Sequence, residues 1–398
     1  MSPLLRFVSP LLGTASRLLL LRFPKYSPRH PWAFLVLVVC ALAMGGCGEE
    51  MDLGIIPPFT HAFVANRGSN TVSVIDLKSF KNVKTIRVGK SPGRLVSSPI
   101  DDLVFVANLN AGTVSVIDSN THFVQKTIPV GKSPADLAIT ADGRYAYVAC
   151  YGSSTIAMID CESLVVTRSI KTQTGPAAIK LSEQRKELWV AQQADNSVGL
   201  VDLDKNVLIE SIPAGKSPLY LEILPDHSRL FVSNSGGDSV TVIDTRSRKT
   251  LEAIVTGRSP MQLSMKPDGG EIYVNNFDAD SVVVINTALA ALNGSFSVGK
   301  NPIRGVVSRD GQRLYVANYG SNTISVLSPP NNREVVASIA VGAQPESMYL
   351  TPDDLYLFVL NSGSDDVSVI RTDIVGSGGS ALFAVIPTGA NPAAIVTK

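Results

Sequence analysis

The chain has 398 residues, 45% of them hydrophobic and 17% charged, a globular composition that excludes a disordered or coiled-coil chain. Its 31 glycines and 24 prolines, with no collagen-like period, supply many corners and favour short strands over helices. A formal net charge of +1 excludes a strongly basic nucleic-acid binder.

Residues 1–46 hold five basic side chains (Arg6, Arg17, Arg22, Lys25, Arg29) and no acid, and an apolar run from Ala33 to Met44 leads to Gly45-Gly46-Cys47. A positive region, a short apolar core and small residues before a cut make a secretory signal peptide. The apolar run is well short of the ~20 residues a spanning helix needs. The Gly45-Gly46-Cys47 junction resembles the lipobox of bacterial lipoproteins, which implies cleavage before Cys47 and a lipid on that cysteine. Residues 47–60 are then a tether, and the exported protein sits in the bacterial envelope, held to a membrane only through Cys47; cleaved soluble export and an uncleaved anchor are the alternatives. Without the leader's five cations the 35 basic residues fall to 30 against 34 acids, so the mature chain carries −4.

From residue 61 one motif returns every 42 residues, with a single step of 43. Its second-strand signature reads Phe63-Val-Ala-Asn66, Phe105-Val-Ala-Asn108, Tyr147-Val-Ala-Cys150, Trp189-Val-Ala-Gln192, Phe231-Val-Ser-Asn234, Tyr273-Val-Asn-Asn276, Tyr315-Val-Ala-Asn318 and Phe358-Val-Leu-Asn361. Each copy continues through a polar turn into an alternating strand such as Thr71-Val-Ser-Val-Ile-Asp76. A third strand follows, then a Gly-Lys-Ser-Pro corner and a proline-led strand. Four short antiparallel strands per ~40 residues predict a β-propeller blade. These motifs resemble the YVTN-type β-propeller repeat family over residues 61–398, and the Gly-His and Trp-Asp marks of WD40 blades are absent. The resemblance implies an all-β propeller and leaves activity open, because the family includes surface, periplasmic and scaffold proteins.

The first copy lacks a proline-led strand, whereas the chain ends on one, Asn391 to Lys398. Pairing the two ends completes eight four-stranded blades and removes two free edges. The alternative, a seven-bladed ring, leaves one blade with nowhere to bury its faces.

In this strand order the Gly-Lys-Ser-Pro corners and the Asn-x-Gly-Ser-Asn turns open on one face, around the funnel. Lys90, Lys132, Lys216, Arg258 and Lys300 stand at five corners and Thr174, Ala343 and Ala390 at the rest. Such a basic rim can hold an anion, and it is equally what solvated turn lysines look like. The second residue after each proline varies, and Arg94, Tyr220 and Arg304 are the candidate contacts there, since Arg forks suit carboxylate or phosphate and Tyr stacks. Two residues further on, Lys180 and Glu222 stand one repeat apart and read as an ion pair between neighbouring blades. Asp278 and Asp280, and Asp365 and Asp366, lack the ordered spacing of a calcium loop and read as turn residues, so no metal is expected.

Cys150 and Cys161 fall near opposite ends of one hairpin, further apart than the ~7 Å between Cα atoms that a disulfide tolerates, and are expected as free buried thiols. His61 starts a strand, and His122 and His227 fall in turns opposite the funnel. No two of these histidines are expected to meet, which leaves no acid–base or nucleophile–base pair. Eight-bladed propellers of similar layout form the cofactor domains of some haem-containing nitrite reductases, where a funnel histidine ligates; this chain has none, and no cofactor is expected. Propeller lactonases rely on polar residues that this sequence does not match. The expectation is therefore a non-catalytic, monomeric envelope module that presents its funnel face to a protein or polymer partner. A periplasmic carrier or binder of an anionic ligand, cofactor or nucleic acid is the alternative, and a lactonase- or dehydrogenase-type enzyme comes after both.

Overall fold

A computed structural model of the chain describes residues 59–329, 334–376 and 380–398. The leader, Cys47 and most of the tether lie outside the described residues. Thirty-two strands form eight antiparallel four-stranded sheets. The first sheet combines β1 (His61–Asn66), β2 (Thr71–Asp76) and β3 (Lys81–Arg87) with the last strand, β32 (Pro392–Thr397), in the order β3-β2-β1-β32. This is blade 1. Blade 2 begins with β4 (Pro92–Ser97), and the inner strands of blades 3 to 8 are β8 (Pro134–Ile139), β12 (Pro176–Ser182), β16 (Pro218–Ile223), β20 (Pro260–Met265), β24 (Pro302–Val307) and β28 (Pro345–Leu350). Eight blades closed by the C-terminal strand are thus the architecture, and the seven-bladed alternative is excluded.

The burial pattern explains the repeat. Both middle strands of a blade are buried along nearly their whole length, as in β1 and β2, because each blade packs a neighbour on either face. The outer strand β3 is mostly exposed, and only Ile86 turns inward. Cores form between blades: Phe105, Val114 and Val116 of blade 2 pack with Leu137, Val148 and Ile159 of blade 3. The closing seam is built the same way, Ala62, Val64 and Ile75 of blade 1 meeting Phe358, Val367 and Val369 of blade 8. Burial of this kind stabilises by roughly 25 cal/mol per Å² of apolar surface, so a ring with no open end loses none of it to solvent.

The asparagine that ends the Val-Ala-Asn strand ties its hairpin together. Asn108 is fully buried, and its Nδ2 donates to Thr113 Oγ1 (3.1 Å) and Ser115 Oγ (3.0 Å), on the facing strand. Asn66, Asn234, Asn318 and Asn361 make the same pair of bonds, and Gln192 bonds two serines. A buried amide needs such partners, and the Thr-x-Ser spacing of the next strand supplies them. The corner glycine accommodates this peg, since a Cβ on Gly89 would fall 2.6 Å from Asn108 Cγ. In blade 3 Cys150 replaces Asn and Ala157 replaces the inner Ser, so the thiol faces Thr155 alone across the hairpin. Cys150 and Cys161 are free and buried, and burial pushes their pKa values up to about 11 and about 12.

Candidate functional site

Each inner strand begins with proline opposite the end of the next strand, as Pro92 faces Asn108. Corners and Asn-led turns therefore share one rim, and the turns after Asp76 and around Asp142-Gly143 share the other. At the corners Lys90, Lys132, Lys216, Arg258 and Lys300 are all exposed. None of the five forms an ion pair with a described residue, although Arg258 Nη2 donates to the Asp278 carbonyl (2.8 Å). Asp278 itself accepts from Ser259 Oγ (2.5 Å) and so serves its turn. Among the described residues no group of three or more His, Cys, Asp or Glu side chains converges as metal ligands would.

The eight inner strands carry three cations, Arg94, Lys180 and Arg304, and three anions, Asp136, Glu222 and Glu346. Lys180 Nζ lies 2.8 Å from Glu222 Oε2, the neighbour pair the repeat predicts. By the same one-repeat step Arg94 Nε lies 2.9 Å from Asp136 Oδ1. That contact is a charge pair rather than an aligned hydrogen bond, since Arg94 Nε has no acceptor in line with its N–H. Asp136 is held by the Leu137 and Ile179 amides (2.9 Å each). Glu346 is taken by Arg67 of blade 1 (2.8 Å). Arg304 is left with no carboxylate among the described residues, and its Nη2 reaches Tyr220 OH at 3.3 Å. Their strands, β24 and β16, belong to blades 7 and 5, so this bond reaches past the inner strand of blade 6. Of the three candidates after the prolines, Arg94 is thus engaged by a carboxylate of the neighbouring blade, whereas Arg304 and Tyr220 bond each other.

A second feature of this rim escaped the sequence reading. A cleft of about 470 Å³ opens between the turns of blades 6, 7 and 8, lined by Phe277, Asn301, Tyr319, Asn322, Ala343 and Gln344 together with Gly320 and Gly363. The Phe277 and Tyr319 ring centroids are 6.3 Å apart at 47°. The repeat held the signal: the residue after the strand-ending Asn is aromatic in two adjacent blades here, and Asn301 and Gln344 replace the serine of the corner.

On the opposite rim the histidines depart from expectation. His61 and His122 meet, with ring centroids 4.7 Å apart in an edge-to-face contact, because the last turn of blade 2 folds against the first strand of blade 1. Burial, and then the charges of His61 and Lys84, hold the His122 pKa below its ordinary value. No carboxylate among the described residues bonds either ring: His61 Nδ1 contacts the Thr60 hydroxyl (2.8 Å), and His122 Nε2 is buried without a partner among the described residues. His227 is bonded to Ser182 Oγ (2.8 Å). Arg185, a basic residue of the same rim, is tied to Glu187 (2.8 Å) and to the Thr245 carbonyl (3.1 Å).

Two family models match parts of the ring. A YNCE-like β-propeller model matches residues 128–268, the span of blades 3 to 5, and a seven-bladed lactonase propeller model matches residues 303–378 in blades 7 and 8. The chain is a β-propeller repeat protein. No curated protein matches it. Among solved structures it resembles the Kuenenia stuttgartiensis hydrazine synthase, with a TM-score of 0.59 and 23% identity over 71% of this chain and 95% of that one. It also resembles the dihydro-heme d1 dehydrogenase NirN (TM-score 0.73, 15% identity, 85% of this chain, 75% of that one). A further match is a putative 6-phosphogluconolactonase from Bacteroides uniformis (0.57, 16%, 74% and 94%). At these identities the likeness is one of fold.

Proposed function

We propose that the protein is a non-catalytic binding module of the bacterial envelope, anchored through Cys47, that presents the corner face of its ring to an acidic partner. One observation carries this reading: five exposed corner cations, none in an ion pair with a described residue, share one rim of a mature chain whose net charge is −4. Such a face attracts an acidic surface at long range although the whole molecule repels it. The Debye length falls from about 8 Å in physiological salt to about 3 Å at 1 M, so capture of the protein on immobilised polyglutamate should fade over that range. Lys132→Glu with Lys216→Glu should weaken capture, and Arg246→Glu on the opposite rim should not. Capture indifferent to salt, or equal loss in both variants, overturns the proposal. Anchoring is tested separately, by fatty-acid labelling of the wild type and release of Cys47→Ala from membranes.

The second reading, an anionic small-molecule carrier, rests on Arg304, the inner-strand cation without a carboxylate. Dicarboxylates or sugar phosphates that bind only the folded ring raise its melting temperature. Arg304→Gln should abolish that rise and leave polyglutamate capture intact.

A further inference from the structure

The cleft between blades 6, 7 and 8 differs in chemistry from the rest of its rim. All of its lining residues are uncharged, and of its two corners one has Ala343 where five blades carry Lys or Arg, while the other keeps Lys300 beside Asn301. Phe277 and Tyr319 are each partly exposed and set two ring faces at an angle along the cleft. Elsewhere on the rim Tyr151 stands alone, between Leu109 and Gln193 at the same position of the adjoining blades.

Three carboxamides complete the wall, and each retains unused bonding capacity. Asn301 Nδ2 donates to the Phe277 carbonyl (3.1 Å), which leaves Oδ1 as an acceptor. Asn322 Oδ1 accepts from the Gln344 amide (2.9 Å), which leaves Nδ2 as a donor. The side-chain amide of Gln344 and the Tyr319 hydroxyl bond to no described residue. The glycines of the turns make room for these groups: a Cβ on Gly320 would fall 2.3 Å from Asn301 Oδ1, and one on Gly363 would fall 2.9 Å from Gln344 Oε1.

We propose that this cleft binds a neutral saccharide, with a sugar ring against Tyr319 and Phe277 and its hydroxyls bonded to Asn301, Asn322 and Gln344. A pyranose has an apolar C–H face suited to an aromatic ring, and hydroxyls that both donate and accept. Carboxamides offer both functions side by side, which neither lysine nor carboxylate does. A neutral ligand brings no charge that would have to be matched on burial, in keeping with an uncharged wall. The volume lies within the roughly 300–1,000 Å³ of small-ligand sites.

The test is titration of the mature protein with neutral trisaccharides of glucose, galactose and N-acetylglucosamine, with trigalacturonate as an anionic counterpart. At least one neutral sugar should saturate in about the millimolar range, with affinity unchanged up to 1 M salt. Tyr319→Ala and Gln344→Ala should each weaken it by up to about tenfold, the scale of one aromatic contact or one hydrogen bond, while Tyr151→Ala leaves it unchanged. Melting curves of the variants should match the wild type, since the altered side chains lie on the surface. Absence of saturable binding to all three sugars, binding that falls with salt, or binding that survives both cleft variants overturns the proposal. None of those outcomes touches the acidic-partner reading, which depends on Lys132 and Lys216 and on salt.

Discussion

Blades 1 to 5 and blades 6 to 8 are copies of one unit, yet they keep its rules to different degrees. At the rim opposite the corners, the lower rim, blades 1 to 5 end the strand after the Asn-led turn in Asp76, Asp118, Asp160, Asp202 and Asp244, each accepting backbone N–H groups of the turn that follows. Blades 6 to 8 have Asn286, Ser328 and Arg371 there. The seams differ too. Leu95 of blade 2 packs in one cluster with Ala65 and Val396 of blade 1, and the same inner-strand position is Leu137, Ile179, Leu221, Leu263, Met348 and Ile395 in other blades. In blade 7 it is Gly305, facing Ser264 and Asn275 of blade 6. The departures fall in the arc that also carries the aromatic cleft and Arg304. Where the copies agree they describe the frame, and where they depart together they mark a place whose demands are not those of folding alone.

The two arcs meet at blade 1, and the largest effect is expected there. Deleting Pro392–Lys398 removes the inner strand of blade 1, its register from Ala62↔Thr397 to Asn66↔Pro392, and the burial of Ala393, Ala394 and Ile395. Two strand edges open at once, so the truncated chain should aggregate or lose its cooperative melt. A truncated ring that melts like the full chain would mean that each arc stands alone.

A smaller effect should come from the exceptional seam. A Cβ on Gly305 would lie 2.7 Å from Ser264 Oγ and 3.4 Å from Asn275 Nδ2, so Gly305→Leu alone overfills the seam and should cost about 1–3 kcal/mol. Ser264 Oγ and both amide atoms of Asn275 are buried without protein partners. Restoring the regular set, Ser264→Val and Asn275→Ala together with Gly305→Leu, should return the loss and exceed wild-type stability, because three unsatisfied polar atoms leave with it. Additive losses across this cycle in urea unfolding would show that the three positions are independent and that their joint departure has no packing basis.

The legibility of the molecule follows the same division. A 42-residue period announces blades because every copy buries the same faces, and the unmatched ends announce the closure. The Lys180–Glu222 pair is readable from a one-repeat step, and the Arg94–Asp136 pair obeys the same step, although an Arg at that position also suits a ligand contact. The His61–His122 contact was not readable. It joins the start of one blade to the far turn of the next, an offset that no repeat position predicts. Sequence shows the neighbours of Asn108 along the chain, whereas its partners Thr113 and Ser115 lie across the hairpin. The cleft is written in the repeat differences at Phe277 and Tyr319, which lie on the Asn-led turns rather than at the corners.

The smallest expected effect separates the lower rims of the two arcs by pH. Hydrogen bonds from Ser79, Thr121, Ser163, Lys205 and Ser247 hold the carboxyls of Asp76, Asp118, Asp160, Asp202 and Asp244 below their ordinary 3.8. A carboxyl whose pKa is lower folded than unfolded contributes stability that is complete above the unfolded value and is lost as pH falls through the folded one. The five carboxyls are near solvent, so each contributes little and only their sum is measurable. Replacing all five by Asn keeps an oxygen that can accept the turn N–H, as Asn286 Oδ1 does from Leu289 (2.9 Å), and removes the titration. Urea midpoints of the wild type should therefore fall more steeply below about pH 4 than those of the five-Asn variant, with the two nearly parallel above it. Equal slopes would show that these carboxyls only shape their turns, and that on this rim blades 1 to 5 do not differ from blades 6 to 8 in energy.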